Sequence, residues 1–201
     1  MKRLYVFVFF VFFLIGCDGL SDAISQYDKV QYIEPTVLYY ANTLEGLQEK
    51  SYNIVKGRLG DDSSTVTALL GRGMPTPVYS IVSLDVVEVI KGDLKGGQEI
   101  KIIEPYYISN RILWTMGNYL PSKANQEYIF FLDYPIDESE GAPEGCVGAY
   151  FVLHEERGRY LVPSADRSLA DGFTREELSL GEKNTDLYMT LYNEVINTYL
   201  R

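Results

Sequence analysis

Few side chains of this 201-residue chain have the chemistry of a nucleophile or a general base. The cysteines are Cys17 and Cys146, and the single histidine is His154. No Gly-x-Ser-x-Gly segment is present to place a serine nucleophile beside that histidine. No activating partner is visible for Cys146, which we therefore interpret as a small, partly buried apolar residue. The sequence assigns no catalytic residue.

The acidic and glycine-rich segments could in principle hold a cation or a phosphate. Zinc needs clustered Cys or His ligands, which one His and one Cys cannot supply. Neither acidic loop matches the calcium-binding spacing, and neither glycine-rich turn opens a helix or ends in Gly-Lys-Thr. We predict solvated acidic loops with no metal site and no cofactor, and calcium binding stays open. The loops contain Asp61, Asp62, Asp133, Asp137, Glu138, Glu140 and Glu144, and the turns are 71–73 and 92–97.

Four aromatic side chains, Tyr106, Tyr107, Trp114 and Tyr119, fall in one short segment. Exposed rings on one face could stack on a sugar or grip a peptide. The chain has seventeen Tyr, so chance clustering is also expected. The alternative is that these rings plug the interior of the domain or pack under the C-terminal helix.

Period-2 patterns predict strands at 52–59, 79–90 and 99–104, with a loop over 61–77. The continuous apolar run 128–132 predicts a further strand, covered on both faces. Within 79–90 the apolar residues change face, which predicts a bulge or a strongly curled strand. Residues 149–154 and 159–162 flank a Gly-containing turn and predict a hairpin.

Two helices are predicted at opposite ends of this strand region. Thr43 is a suitable N-cap for a helix over 43–50. The stretch 184–200 carries a broad apolar and tyrosine stripe at helical spacing, made of Leu187, Tyr188, Leu191, Tyr192, Val195, Ile196 and Tyr199. Thr174 and Glu177 have the spacing of a capping box. The fold class is mainly β with flanking helices (α+β).

The N-terminus has the composition of a secretory signal. Lys2 and Arg3 precede an apolar run of twelve residues over 4–15, which is too short to cross a bilayer. The segment Leu14-Ile15-Gly16-Cys17 resembles the lipobox of bacterial lipoproteins. That resemblance implies lipidation of Cys17, removal of residues 1–16, and a membrane anchor on the outer face of the cell membrane. Residues 17–34 are then predicted to be a tether.

The order of strands over 43–163 resembles small OB-like β-barrel domains of secreted or lipid-anchored proteins of Gram-positive bacteria. The similarity rests on Ile54-Val55-Lys56-Gly57, on the long strand that ends at Leu94, and on Tyr128-Ile129-Phe130-Phe131-Leu132. It implies an antiparallel, OB-like barrel or coiled sheet. It carries no catalytic residue and no assigned activity. We expect residues 35–163 to form this domain and residues 164–201 to form a helical segment packed on it.

The net charge of −10, which becomes −12 once Lys2 and Arg3 are removed, disfavours nucleic-acid binding. We predict a membrane-anchored, non-catalytic binding module whose partner is a protein, a peptide or a cell-wall glycan. The alternative is a cell-envelope hydrolase with a dispersed pair of carboxylates. A protease inhibitor similar to netrin-like domains is disfavoured, because those domains depend on disulfides around a free N-terminal cysteine.

Overall fold

The structure is a computed structural model of the chain. It describes residues 27–34, 41–70, 74–138, 142–143, 145–165, 167 and 172–200. Cys17 and the predicted signal segment 1–16 therefore lie outside the described residues.

The described residues form ten strands and two α-helices. The strands are β1 (Lys29–Ile33), β2 (Asn53–Leu59), β3 (Ser64–Leu70), β4 (Met74–Lys91), β5 (Glu99–Glu104), β6 (Tyr106–Ser109), β7 (Ile112–Met116), β8 (Glu127–Pro135), β9 (Tyr150–Val152) and β10 (Arg159–Leu161). The helices are α1 (Leu44–Lys50) and α2 (Asp186–Tyr199). The predicted α+β class is confirmed.

Five strands close into a barrel. Antiparallel pairs join β8 to β2, β2 to β4 and β4 to β5; β9 then pairs parallel with β5 and antiparallel with β8. In chain order the five barrel strands are β2, β4, β5, β8 and β9. Around the barrel they follow as β2, β4, β5, β9 and β8, so that the last two are exchanged, which is the OB arrangement. Alternate residues of these strands point inward and form the first core, which includes Val55, Leu84, Ile102, Phe130 and Val152.

The face change predicted within 79–90 is produced by bulges in β4. The β2–β4 register skips one residue after Val89 and another after Val86, and each irregularity bends the long strand. Val82, Leu84 and Val86 consequently fill the barrel, whereas Val87 is 45% exposed. Because of these bends, the single strand β4 can pair with both β2 and β5 in a small, tightly curved barrel.

The loop prediction for 61–77 is wrong, because β3 and the first half of β4 form a hairpin there. Pro and Gly suggested a loop, but Pro77 pairs opposite Thr67 next to a bulge, a position that tolerates proline. The alternating Ser, Thr and Val residues of β3 supply the β-propensity that forms this hairpin.

The predicted hairpin of 149–154 and 159–162 is also wrong. Strands β9 and β10 both pair antiparallel with β8, at Leu132↔Val152 and Phe130↔Arg159. They follow one edge of β8 as a single strand interrupted by a short 3₁₀ helix over Glu155–Gly158. The alternating pattern predicted the two strands correctly, but each of them pairs with β8 rather than with the other.

A second core lies outside the barrel, where α1 and α2 cover β2, β8 and β10. Thr43 caps α1 by accepting a hydrogen bond from the Gly46 amide at 3.1 Å. The predicted stripe of α2 is buried, except that Leu187 is 36% exposed and Tyr199 is only partly buried. The buried residues are Tyr188, Leu191, Tyr192, Val195 and Ile196.

The capping box of Thr174 and Glu177 forms, through hydrogen bonds of 2.7 and 3.2 Å. It closes a turn rather than opening a regular helix. This turn then leads into residues 178–182, which lie against the barrel end described below.

A small three-stranded sheet, β1–β7–β6, lies beside the barrel. Strand β1 pairs parallel with β7, from Lys29↔Ile112 to Ile33↔Met116. The predicted tether of 17–34 is therefore wrong for its last residues. A five-residue strand with only Val30, Tyr32 and Ile33 as apolar positions gives a weak pattern, and its partner is distant in sequence.

Candidate ligand-binding cavity at one end of the barrel

A cavity of about 750 Å³ opens where β2 and β5 end. The larger part of its wall is apolar, and the volume falls in the range usual for small-molecule sites. Leu59, Val82 and Tyr106 extend the barrel core into this wall. The remaining walls come from β1, from residues 120–124 and from the turn at 175–182.

The charged group deepest in the wall is Glu104, the last residue of β5, which is only 1% exposed. Its Oε1 accepts hydrogen bonds from the Tyr119 hydroxyl and from the hydroxyl and backbone N–H of Ser122. All the hydrogen bonds that described residues donate to Glu104 reach this one oxygen. Its Oε2 accepts no hydrogen bond from a described residue.

Arg159 lies behind Glu104 and is completely buried. One guanidinium nitrogen, Nη1, lies 3.8 Å from Glu104 Oε1, and the guanidinium carbon lies 4.0 Å from the centroid of the Tyr119 ring. A buried charge is costly unless it is paired, so each of these two residues depends on the other.

The same arginine joins the walls of the cavity. Nη1 donates to the Leu120 carbonyl and to Ser122 Oγ, each at 2.8 Å. Nη2 donates to the carbonyls of Leu178 and Ser179 at 3.2 and 2.8 Å. Arg159 therefore fixes both wall segments against β10, using the forked geometry of the guanidinium.

Tyr106 lines the cavity, and Tyr119 lies behind the wall, bonded to Glu104. The Tyr106 hydroxyl lies 3.0 Å from Ser63 Oγ, and Tyr119 bonds to Glu104. Burial, reinforced by the charge of Glu104, raises the pKa of Tyr106 well above its usual value. Burial also raises the pKa of Tyr119, against the opposing effect of Arg159. Both hydroxyls are thus neutral hydrogen-bonding groups at neutral pH.

Strand β1 forms the outer wall through Val30 and Tyr32, together with Tyr27 just before the strand. Ion pairs hold it at both ends: Asp28 binds Arg111 at 2.6 and 2.7 Å, and Glu34 binds Lys183 at 2.6 Å. The Tyr32 hydroxyl also accepts a hydrogen bond from the Glu182 amide at 3.4 Å. The docked N-terminal strand therefore supplies one wall of the cavity.

The rim carries more acidic than basic groups. Its acidic residues are Asp61, Glu176 and Glu182, and its basic residues are Lys123 and Arg175. The opposite charges of Glu104 and Arg159 cancel in this count. The mouth of the cavity therefore has a small net negative charge, which favours neutral or cationic ligands over anionic ones.

The four aromatic residues predicted as a binding platform separate into two pairs. Tyr106 and Tyr119 are 5% and 0% exposed and stack in the barrel core, with ring centroids 6.5 Å apart. Tyr107 and Trp114 are partly exposed and stack on the other face of β6 and β7, at 6.1 Å. Of the four, only Tyr106 lines the cavity. The outer pair is mutually stacked, so only its outward ring faces remain for a ligand.

The other chemically notable residues lie elsewhere. Cys146 is buried in a small apolar cluster with Val66, Ile103 and Ala149, and burial raises the pKa of its thiol. Burial and the charges of Arg157 and Lys50 lower the pKa of His154. Within the described residues, no group of three or more His, Cys, Asp or Glu side chains is arranged to hold a metal ion.

Sequence reasoning missed both Glu104 and the arginine behind it, Arg159. For Glu104 a signal existed, because strand parity places it on the inward face with Ile100 and Ile102. For Arg159 there was none, since its partners come from three segments that only the folded chain brings together.

A second cavity of about 750 Å³ lies beside β8 and β10, and its wall includes residues 163–165, Arg167, Phe173 and Glu177. Both arginines of its described lining are ion-paired within the wall, Arg58 with Glu127 at 2.6 Å and Arg167 with Glu177 at 2.5 Å. None of its described lining residues is a buried charged group comparable to Glu104, so the first cavity is the stronger candidate.

No protein-family model matches this chain, and no curated protein matches it either. Among the described residues, neither helix is long and apolar enough to cross a membrane.

Proposed function

We propose that this chain is a lipid-anchored, extracytoplasmic binding module that takes a small, largely apolar ligand into the cavity at the barrel end. The observation that carries the proposal is that cavity itself, with apolar walls and a single buried carboxylate on its floor. Most known small-molecule sites have this composition, with few polar groups that fix the orientation of the ligand.

The arrangement favours binding over hydrolysis. One oxygen of Glu104 accepts three hydrogen bonds and faces Arg159, so this carboxylate is arranged as a fixed acceptor. A glycoside hydrolase needs two carboxyl groups that face one bond across a cleft. The other carboxylates of the cavity, Asp61, Glu176 and Glu182, are exposed at its rim, so none of these three is a buried partner for Glu104.

The proposed anchor lies close to the cavity along the chain. Tyr27, in the cavity wall, is ten residues from Cys17, and ten extended residues reach at most about 35 Å. With a diacylated Cys17 in the outer leaflet, the cavity would stay near the membrane surface, where amphiphilic molecules are concentrated. Labelling cells with an alkyne fatty acid tests the anchor: the chain should be labelled, and Cys17→Ser should abolish both labelling and membrane retention.

Ligand entry is tested by filling the cavity of the full chain held in lipid nanodiscs. Val30→Trp places an indole in the cavity wall, and Ala124→Trp does so at its exposed rim. Val87→Trp adds the same ring at a 45% exposed position outside the wall. By titration calorimetry, octan-1-ol should bind the original chain and Val87→Trp, and bind both filled variants at least tenfold more weakly. Equal heats for all four chains would overturn the proposed cavity function.

A further inference from the structure

We propose that the ligand of this cavity carries a hydrogen-bond-donating, cationic head group, such as a primary ammonium, which binds Oε2 of Glu104. This inference rests on the proposed function and names the ligand class of the same cavity. Its physical basis is the unequal use of the two oxygens of one carboxylate that is 1% exposed.

Oε1 is already occupied from the protein side. The Tyr119 hydroxyl and two groups of Ser122 donate to it, and Arg159 Nη1 lies 3.8 Å away. These donors hold the carboxylate in one orientation. Oε2 accepts no hydrogen bond from a described residue, and Glu104 lies in the cavity wall. An apolar ligand that displaced water from this oxygen without supplying a donor would leave a buried acceptor unpartnered, which costs free energy.

The other polar groups around the cavity do not offer an anion an equal alternative. Arg159 is completely buried, and its terminal nitrogens are engaged with the carbonyls of residues 120, 178 and 179 and with Ser122. The rim has two cationic side chains, Arg175 and Lys123. Arg175 donates a hydrogen bond to the Glu182 carbonyl at 2.8 Å. The carboxylates of the rim outnumber these two, so the field at the mouth also favours a cation.

Size and polarity set the rest of the ligand. A volume of about 750 Å³ with a mainly apolar wall suits an alkyl or ring system rather than a peptide or a glycan chain. The head group must lie at the Glu104 end, against Tyr106, and the apolar part must lie along Val30, Val82 and Leu120. The ligand is therefore a small cationic amphiphile.

The test compares three probes that share one alkyl chain: octylammonium, octan-1-ol and octanoate, at pH 7. Each is titrated into the full chain in nanodiscs, and the heats of the Val30→Trp or Ala124→Trp protein are subtracted to remove partitioning into lipid. A charge-assisted hydrogen bond is about twice as strong as a neutral one. We expect octylammonium to bind about tenfold more tightly than octanol, and octanoate at least tenfold more weakly than octanol.

Glu104→Gln inverts the group that faces the ligand. The amide oxygen should take the Oε1 position, where three donors point, and the amide NH₂ should then replace Oε2 with a donor. In this variant octylammonium should lose its tenfold advantage, and octanoate should bind at least as well as octylammonium. Because the three-probe comparison on the original chain needs no variant at Glu104, it decides the question even if Glu104→Gln fails to fold.

The outcomes separate the two proposals. If none of the probes binds, or if cavity filling changes nothing, the cavity function itself is wrong. If octanol binds and is blocked by filling, but octylammonium binds no more tightly or octanoate binds best, the cavity function stands and the cationic head group is overturned. Retention of the ammonium preference in a folded Glu104→Gln protein would likewise overturn the assignment to Oε2.

Discussion

The buried pair of Glu104 and Arg159 allows a quantitative prediction. Coulomb's law with an effective dielectric constant of about 20 gives roughly 4 kcal/mol of attraction at their separation of 3.8 Å. Removing one partner strands the other charge in the interior, which typically costs about 3–5 kcal/mol. Arg159→Met and Glu104→Gln should each lower the free energy of unfolding by about this amount.

The double variant should lose much less than the sum of the two single losses. Removing both charges leaves no stranded ion, although the carbonyls held by Arg159 still lose their donor, at about 1 kcal/mol each. We therefore expect a coupling energy of about 3 kcal/mol from the double-mutant cycle. Urea unfolding of the full chain in nanodiscs, followed by the fluorescence of the single Trp114, measures each corner of the cycle.

Arg58 and Glu127 provide a matched control with the same residue types. Their ion pair is shorter, at 2.6 Å, but the two side chains are 57% and 28% exposed. Arg58→Met and Glu127→Gln should couple by less than about 1 kcal/mol, because solvent screens exposed pairs. If the buried cycle coupled no more strongly than this surface cycle, the claim that Glu104 and Arg159 neutralise each other in the cavity floor would be refuted.

Three further results are expected. Hydrogen bonds from a lysine and a serine lower the pKa of Asp62 far below its usual 3.8. The contribution of this carboxylate to stability is therefore present above pH 3.8 and is lost as the pH falls below that value. In acid titrations, the stability difference between the original chain and Asp62→Asn should shrink below about pH 4, and a difference independent of pH would contradict this. Gly158→Ala should lower the melting temperature by several degrees, because its Cβ would lie 2.0 Å from the Leu153 carbonyl oxygen, whereas Gly96→Ala, with its nearest contact at 3.5 Å, should cost far less. Cys146 should resist iodoacetamide in the native protein and react fully in urea, as mass spectrometry would show; rapid native labelling would disprove its burial.

Local patterns in the sequence were sufficient for α1, for the buried face of α2 and for the curvature of β4. Thr43 caps α1, the stripe from Tyr188 to Ile196 is buried, and the face change along β4 corresponds to real bulges. Each of these signals depends only on neighbours a few residues away. The lipid anchor on Cys17 stays a prediction of the sequence.

The errors share one physical cause. Strand β1, the β3 hairpin and the joint path of β9 and β10 are short segments whose identity as strands depends on a distant partner. β-propensity reports how well a residue fits a half-buried pleated surface, and a single sequence does not show which surface is available.

The cavity, like the fold, depends partly on local sequence and partly on tertiary contacts. The residues available to it, including an inward-facing Glu104 at the end of an apolar strand, were determined by the sequence. Tertiary structure alone decided that Arg159 would lie behind that carboxylate, that Tyr119 would be buried rather than displayed, and that β1 would close the outer wall. A buried charge needs a partner at a distance of a few ångströms, and only the closed barrel brings those segments, dozens of residues apart, to that distance.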